Sequence, residues 1–216
     1  MIEIINETNE IILSGIVGDG WDDQPITAKE VGKALKVFGS NAITVRINSP
    51  GGAADEGIAI YNLLKNHSGE VTTVNDSLAA SAASVIFLGG SKRLMGDGSR
   101  LMIHRAMGLA FGNQDEIKKM LAALESYDRS LVEIYDQYIL SDAKTDEEKQ
   151  NQKAKIEALM AKETWFESEL AIESGLATGR YSTDKKKKTK AQFDQAKSNL
   201  LRAKMAAFAK RLDSAK

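Results

Sequence analysis

The apolar positions change period repeatedly along the first half of the chain. "EIILSGIV" (10–17) is an apolar run closed by Gly18, which predicts a first strand followed by a polar loop. Thr27 and Glu30 then form a capping-box signature ahead of Val31, Ala34, Leu35 and Phe38. Those four recur at helical spacing until Gly39 ends the segment. "AITVRI" (42–47), rich in β-branched residues, predicts a buried strand. "NSPGGAADEG" after it reads as a turn, and "IAIYNLLKN" as a helix. "EVTTVN" (70–75) is the next strand, leading into an Ala/Ser-rich helix from about Ser81 to Leu88. "KRLM" and "RLMIH" follow as short strands. Strands alternating with helices over short connections predict an α/β fold with right-handed crossovers. Sites in such folds form where strands end and helices begin, here at "NSPGG" and "NDSLAAS".

Beyond residue 112 the pattern becomes helical. Asn113 with Glu116 opens a segment in which Ile117, Leu121, Leu124, Leu131, Ile134 and Tyr138 are apolar. A helix over 114–140 would be about 40 Å long at 1.5 Å per residue. Thr145 with Glu148 caps a second helix carrying Ile156, Leu159 and Met160. Together, residues of about 113–162 form an arm longer than a small α/β core needs. Its expected use is oligomerisation, the simpler alternative being a helical hairpin packed on its own core.

Charge divides the chain differently. The last 32 residues hold eleven Lys/Arg against Asp194 and Asp213, a net of +9, so a chain total of −1 leaves the preceding 184 residues at −10. This predicts an acidic domain over 1–180 and a basic tail over 181–216. In the tail, Phe193, Leu200, Leu201, Ala207, Phe208 and Leu212 would give a basic amphipathic helix a narrow apolar stripe. The chain has no cysteine, which excludes disulfides, thiolate metal sites and cysteine nucleophiles. No apolar run approaches the roughly 20 residues of a membrane span, and "MIEIINETNE" is not a signal peptide. A soluble, cytoplasmic protein without a membrane partner is expected.

Ser81 and Ser84 stand in a run of alanines that continues into Val-Ile-Phe-Leu. Small residues suit close helix packing, but a serine at the start of a buried helix also suits a nucleophile. Such a serine needs a base, a group to orient the base, and donors for the oxyanion. Only two histidines are available. His67 lies at a polar helix end and reads as a solvated surface residue. His104 closes an apolar strand, where a structural role is the simpler reading unless a serine is in reach. "SPGG" offers backbone N–H groups unobstructed by Cβ atoms, and without a following Gly-Lys-Ser/Thr it is not a Walker-type loop. On these residues alone a serine hydrolase is one reading among several.

Four segments taken together carry a resemblance: "INSPGG" (47–52), "AASAASVIF" (79–87), "LMIHRAMG" (101–108) and "ETWFESELAIESGLATG" (163–179). In this order and with nearly this spacing, they resemble the Clp protease proteolytic subunit family. Within it, the chain looks closest to the Clp-like prohead, or capsid-maturation, proteases of tailed phages. The resemblance covers about residues 10–180. It implies a ClpP/crotonase-like fold of repeated ββα units with a protruding helical arm. It also implies serine endopeptidase activity without cofactor or metal. Ser81 matches the family's nucleophile, His104 its general base, and the backbone N–H groups of Gly51 and Ala82 its oxyanion hole. Ser84, one helical turn on, reads as packing. The family's third triad position, twelve residues before the Gly175-Leu176 pair, falls on Glu163, where the family has Asp.

The implied partners are other copies of the chain in a ring, as a heptamer or double ring, and a protein substrate such as a capsid or scaffold protein. The first strand begins almost at once, where the Clp subunit has a longer segment facing its ATPase, so an ATPase partner is not expected. The tail is expected to tether the protease to the assembling shell. Three other readings compete. A crotonase-type acyl-CoA enzyme would need neither Ser81 nor His104, an inert or nucleic-acid-binding scaffold would use the basic tail, and a serine–lysine peptidase is disfavoured by "MIH".

Overall fold

The computed structural model describes residues 1–19, 23–141 and 143–182, so the basic-tail expectations lie outside the described residues. Strand β1 (Ile2–Ile5) pairs antiparallel with β2 (Glu10–Val17). Helix α1 (Ala28–Phe38) leads to β3 (Ile43–Gly52), and α2 (Ala54–Lys65) leads to β4 (Val71–Ala80). Helix α3 (Ala82–Leu88) then precedes β5 (Lys92–Met95) and β6 (Arg100–Ile103). The arm is α4 (Gln114–Asp136) and α5 (Asp146–Ala161), after which β7 (Thr164–Glu167), α6 (Ser168–Glu173) and β8 (Gly179–Arg180) return the chain to the sheet.

The sheet runs β1-β2-β3-β4-β5-β8, parallel from β2 onward. β4 forks. Its first half pairs with β5 through Thr72–Asn75, and its second half with β6 through Leu78–Ala80. β7 adds antiparallel to β6. Alternation along β2 and β3 buries Ile11, Leu13, Val45 and Ile47 against the helices, where Ile60, Leu64, Phe87 and Leu88 complete the core. The other face carries Arg46, whose guanidinium grips Asp76 at 2.9 and 2.5 Å and donates to the Tyr181 hydroxyl at 3.2 Å, fixing the end of the described chain.

Several boundaries differ from those the sequence predicts. β3 continues through "SPGG", because Gly51 and Gly52 pair with Ile16 and Val17 and Ser49 pairs with Ala79. β4 continues to Ala80, carried by its pairing with β6. The arm helix stops at Asp136, not at 140, and is about 35 Å long. Its last turn tightens as Gln137 N–H bonds Ile134 and Tyr138 N–H bonds Tyr135, and Leu140 N–H then turns to the Ser174 carbonyl. Both arm helices begin at complete capping boxes, on Asn113/Glu116 and Thr145/Glu148. The arm is rooted rather than packed along its length: Leu131, Val132, Ile134 and Tyr135 are buried, while Ile117 and Leu121 are exposed.

Candidate active site

The fork in β4 creates the site. Because Ala80 pairs with Met102, the residues just beyond the two strand ends meet, and Ser81 N–H bonds the Met102 carbonyl at 3.0 Å. Two residues on, the His104 ring returns over the serine, with Nε2 2.8 Å from Ser81 Oγ. For the imidazole to accept the serine proton its own hydrogen must sit on Nδ1.

Ser81 has φ 54° and ψ −126°, a conformation that L residues rarely adopt, and precedes α3 without capping it. Its hydroxyl is thereby left to His104. Holding a non-glycine residue there costs about 1–3 kcal/mol and persists only where the surroundings impose it. The imposing contacts are the Met102 bond and the Ser81 carbonyl, which accepts Ser84 N–H at 2.9 Å and Ser84 Oγ–H at 2.6 Å. The small residues around it do what the sequence suggests: a Cβ on Gly57 of α2 would stand 2.9 Å from Ala82 Cβ, so the two helices touch through their backbones.

Gly51 faces this junction at φ +96°. A Cβ there would lie 2.6 Å from the Ala80 carbonyl oxygen, 2.7 Å from Ser81 Cβ and 3.0 Å from Ala82 N. Space beside Ser81 and the Ala82 N–H is therefore kept open by the missing side chain. The Gly51 N–H donates to the buried Ser49 hydroxyl at 3.1 Å.

Glu163 is placed differently. β7 runs antiparallel to β6 and their ladder ends at the Ile103–Thr164 pair, so Glu163 lies in the turn just before that pair and His104 just after it. Its carboxylate accepts Trp165 Nε1–H at 3.3 Å. Among the described residues, no carboxylate is hydrogen-bonded to His104. Glu163 also has a positive φ of 51°, which its position immediately after the end of α5 accounts for. Asp128 reaches the same loop but bonds Ala106 N–H at 2.7 Å and approaches Arg105 Nε at 3.9 Å. His67 lies apart from the site, its Nε2 2.9 Å from the Asn41 carbonyl.

A cleft of about 230 Å³ opens over Ser81 and His104, lined also by Gly52 and Ala53, by Met107 of the loop after β6, and by Met120, Leu124 and Leu131 of the arm. The sequence marked Leu124 and Leu131 only as an apolar helical stripe. Their facing the serine depends on where the arm root docks. Tyr135, at the cleft's base, is fully buried, and burial pushes its hydroxyl up to about 12. No described helix is long and apolar enough to cross a membrane.

Comparison with known proteins agrees with the motifs. The ATP-dependent Clp protease proteolytic subunit 1 of Protochlamydia amoebophila is 33% identical over 134 residues, which are 60% of each chain. The corresponding subunit of Chlorokybus atmophyticus is 42% identical over 77 residues, 35% of this chain and 33% of that one. That of Bacteroides fragilis is 36% identical over 94 residues, 43% of this chain and 45% of that one. The matches thus span 60% or less of these relatives' length. A ClpP1 mutant from Listeria monocytogenes superposes with a TM-score of 0.62 at 22% identity, covering 82% of this chain and 93% of that one, which shows a shared fold. The family model described as Clp protease matches residues 26–179, and the chain belongs to the Clp protease family.

Proposed function

We propose that the protein is a serine endopeptidase in which Ser81 attacks the scissile carbonyl, His104 takes and returns the proton, and the oxyanion is stabilised by the N–H groups of Ala82 and of Gly51, the latter turned from Ser49 Oγ as substrate binds. The observation that carries this is the 2.8 Å contact between Ser81 Oγ and His104 Nε2 at a strained strand–helix junction. The apolar cleft wall favours substrates with an uncharged aliphatic or aromatic side chain next to the bond cut. Hydrolysis of fluorogenic peptides of that kind, against peptides with charged residues at the same place, tests the reading.

Glu163 is the third member in this proposal, stabilising the imidazolium after a small side-chain rotation away from Trp165. Glu163→Gln is expected to lower kcat much less than His104→Ala, which costs at least about 10⁴-fold, since only the imidazole moves the proton. Steady-state kinetics checks this. A Glu163→Gln enzyme as fast as wild type would leave a serine–histidine dyad.

A homo-oligomeric ring, heptameric or doubled, is the proposed working form. Met107, Leu109 and Phe111 are 78%, 88% and 99% exposed, and they run directly into an arm exposing Ile117 and Leu121. So much apolar surface on one projecting feature is unusual for a monomer. Light scattering at micromolar concentration is expected to give a multiple of 23.5 kDa, whereas an active monomer would refute it.

The proposed substrate is a capsid or scaffold protein of a tailed phage, a reading that rests on the motif resemblance; intact masses of co-expressed capsid proteins test it. The relatives' designation as ATP-dependent favours a second reading, a housekeeping subunit served by an ATPase.

A further inference from the structure

We infer that Ser84 and Tyr135 are positioning residues whose hydroxyls aim the Ala82 N–H into the oxyanion hole, an inference that rests on the reading of Ser81 as the nucleophile. The directions of the hydrogen bonds follow from counting protons. Ser84 Oγ lies 2.6 Å from the Ser81 carbonyl oxygen, which can only accept, so the single serine hydrogen points there. Tyr135 Oη, 2.8 Å from Ser84 Oγ, must then donate its own. The chain of donors runs one way, from the arm root through Ser84 to the peptide that follows the nucleophile.

That peptide carries both groups of interest. In a trans unit, C=O and N–H point in opposite directions, so holding the Ser81 carbonyl to one side turns the Ala82 N–H to the other. The space left open at Gly51 borders this peptide, since a Cβ there would lie 3.0 Å from Ala82 N. The backbone bond from Ser84 N–H would form at many helix starts. The shorter hydroxyl bond, backed by a phenol from α4, is the addition that this chain makes at a residue held at φ 54°. Packing alone does not call for it, since phenylalanine and alanine would fill nearly the same volumes without placing two hydroxyls in the core. Burial keeps the Tyr135 phenol protonated and hence a donor throughout the pH range of hydrolysis.

The double variant Ser84→Ala/Tyr135→Phe separates positioning from mere stability. Removing the Ser84 hydroxyl alone orphans the Tyr135 donor, but removing both leaves no buried polar group unpaired, so thermal stability is expected to return close to wild type. Activity is not expected to return with it. On a fluorogenic peptide with leucine before the scissile bond, kcat is expected to fall about tenfold with KM within about twofold, less than the 10²–10³ of losing an oxyanion donor outright. Affinity for a peptide boronate, which forms a tetrahedral adduct on the serine, should fall by the same factor as kcat/KM. Tyr135→Phe alone, which keeps the ring in place, should show a smaller loss in the same two quantities. Wild-type kcat in the double variant overturns the inference. So does a loss of kcat that tracks melting temperature while boronate affinity stays unchanged. If Ser81→Ala itself hydrolyses the peptide normally, the nucleophile reading falls instead, whatever the double variant does.

Discussion

Ser81→Ala is expected to reduce kcat by at least about 10⁴-fold, and His104→Ala by a similar factor, with the double variant no worse than either single one. The reason lies in the contact between them. The hydroxyl is a poor nucleophile until the imidazole 2.8 Å away takes its proton, so each residue is of little use without the other. What remains is catalysis by the oxyanion donors and by binding, which neither substitution touches. The fold should tolerate both changes. The Ser81 side chain makes no capping bond, and alanine at φ 54° is no more strained than serine. Melting temperatures within a few degrees of wild type, measured beside the kinetics, would show that the loss is chemical.

Gly51→Ala is expected to combine two losses, about 1–3 kcal/mol of stability and about 10²-fold or more in kcat. At φ +96° a Cβ is strained whatever surrounds it, and the surroundings do not give. The nearest atoms are the Ala80 carbonyl oxygen and Ala82 N, both backbone, with Ser81 Cβ between them in distance. Relief must come from moving β3 away from the β4–α3 junction, which displaces the Gly51 N–H from the oxyanion it is proposed to hold. Chemical denaturation and peptide hydrolysis on the same preparation check the pair. A fully active Gly51→Ala enzyme would remove Gly51 from the oxyanion hole.

How much of this was legible in the chain depends on the range of the interactions. The helix starts at Thr27, Asn113 and Thr145 are set by side chains bonding backbone N–H groups three residues on, so they can be read locally, and the structure has all three. The length of β4 cannot be read that way. "DSLAA" has no strand character of its own and is extended because Leu78–Ala80 pair with Arg100–Met102. The short strands "IEII" and "TWFE" are not legible for the same reason, as four residues carry too little pattern without their partners.

The site divides similarly. Ser81, His104 and Gly51 were marked by composition at strand ends and by resemblance, and the parallel register brings their backbones together. Glu163 was reached by counting from Gly175. It stands one residue before the Thr164–Ile103 pair that ends the ladder, while its carboxylate engages Trp165, a side-chain choice that no spacing rule encodes. Ser84 was read as packing. It is buried as that reading requires, but its hydroxyl partner lies 51 positions away on α4, beyond the reach of any local pattern.

The central claim, an activated serine at position 81, is tested most directly by exposing the protein to a fluorophosphonate at neutral pH and locating the adduct by mass spectrometry. The expected result is one adduct per chain, on Ser81, formed rapidly in the wild type and very slowly in His104→Ala. An unmodified Ser81 in a preparation that hydrolyses peptides, or labelling that proceeds equally fast without His104, would contradict it.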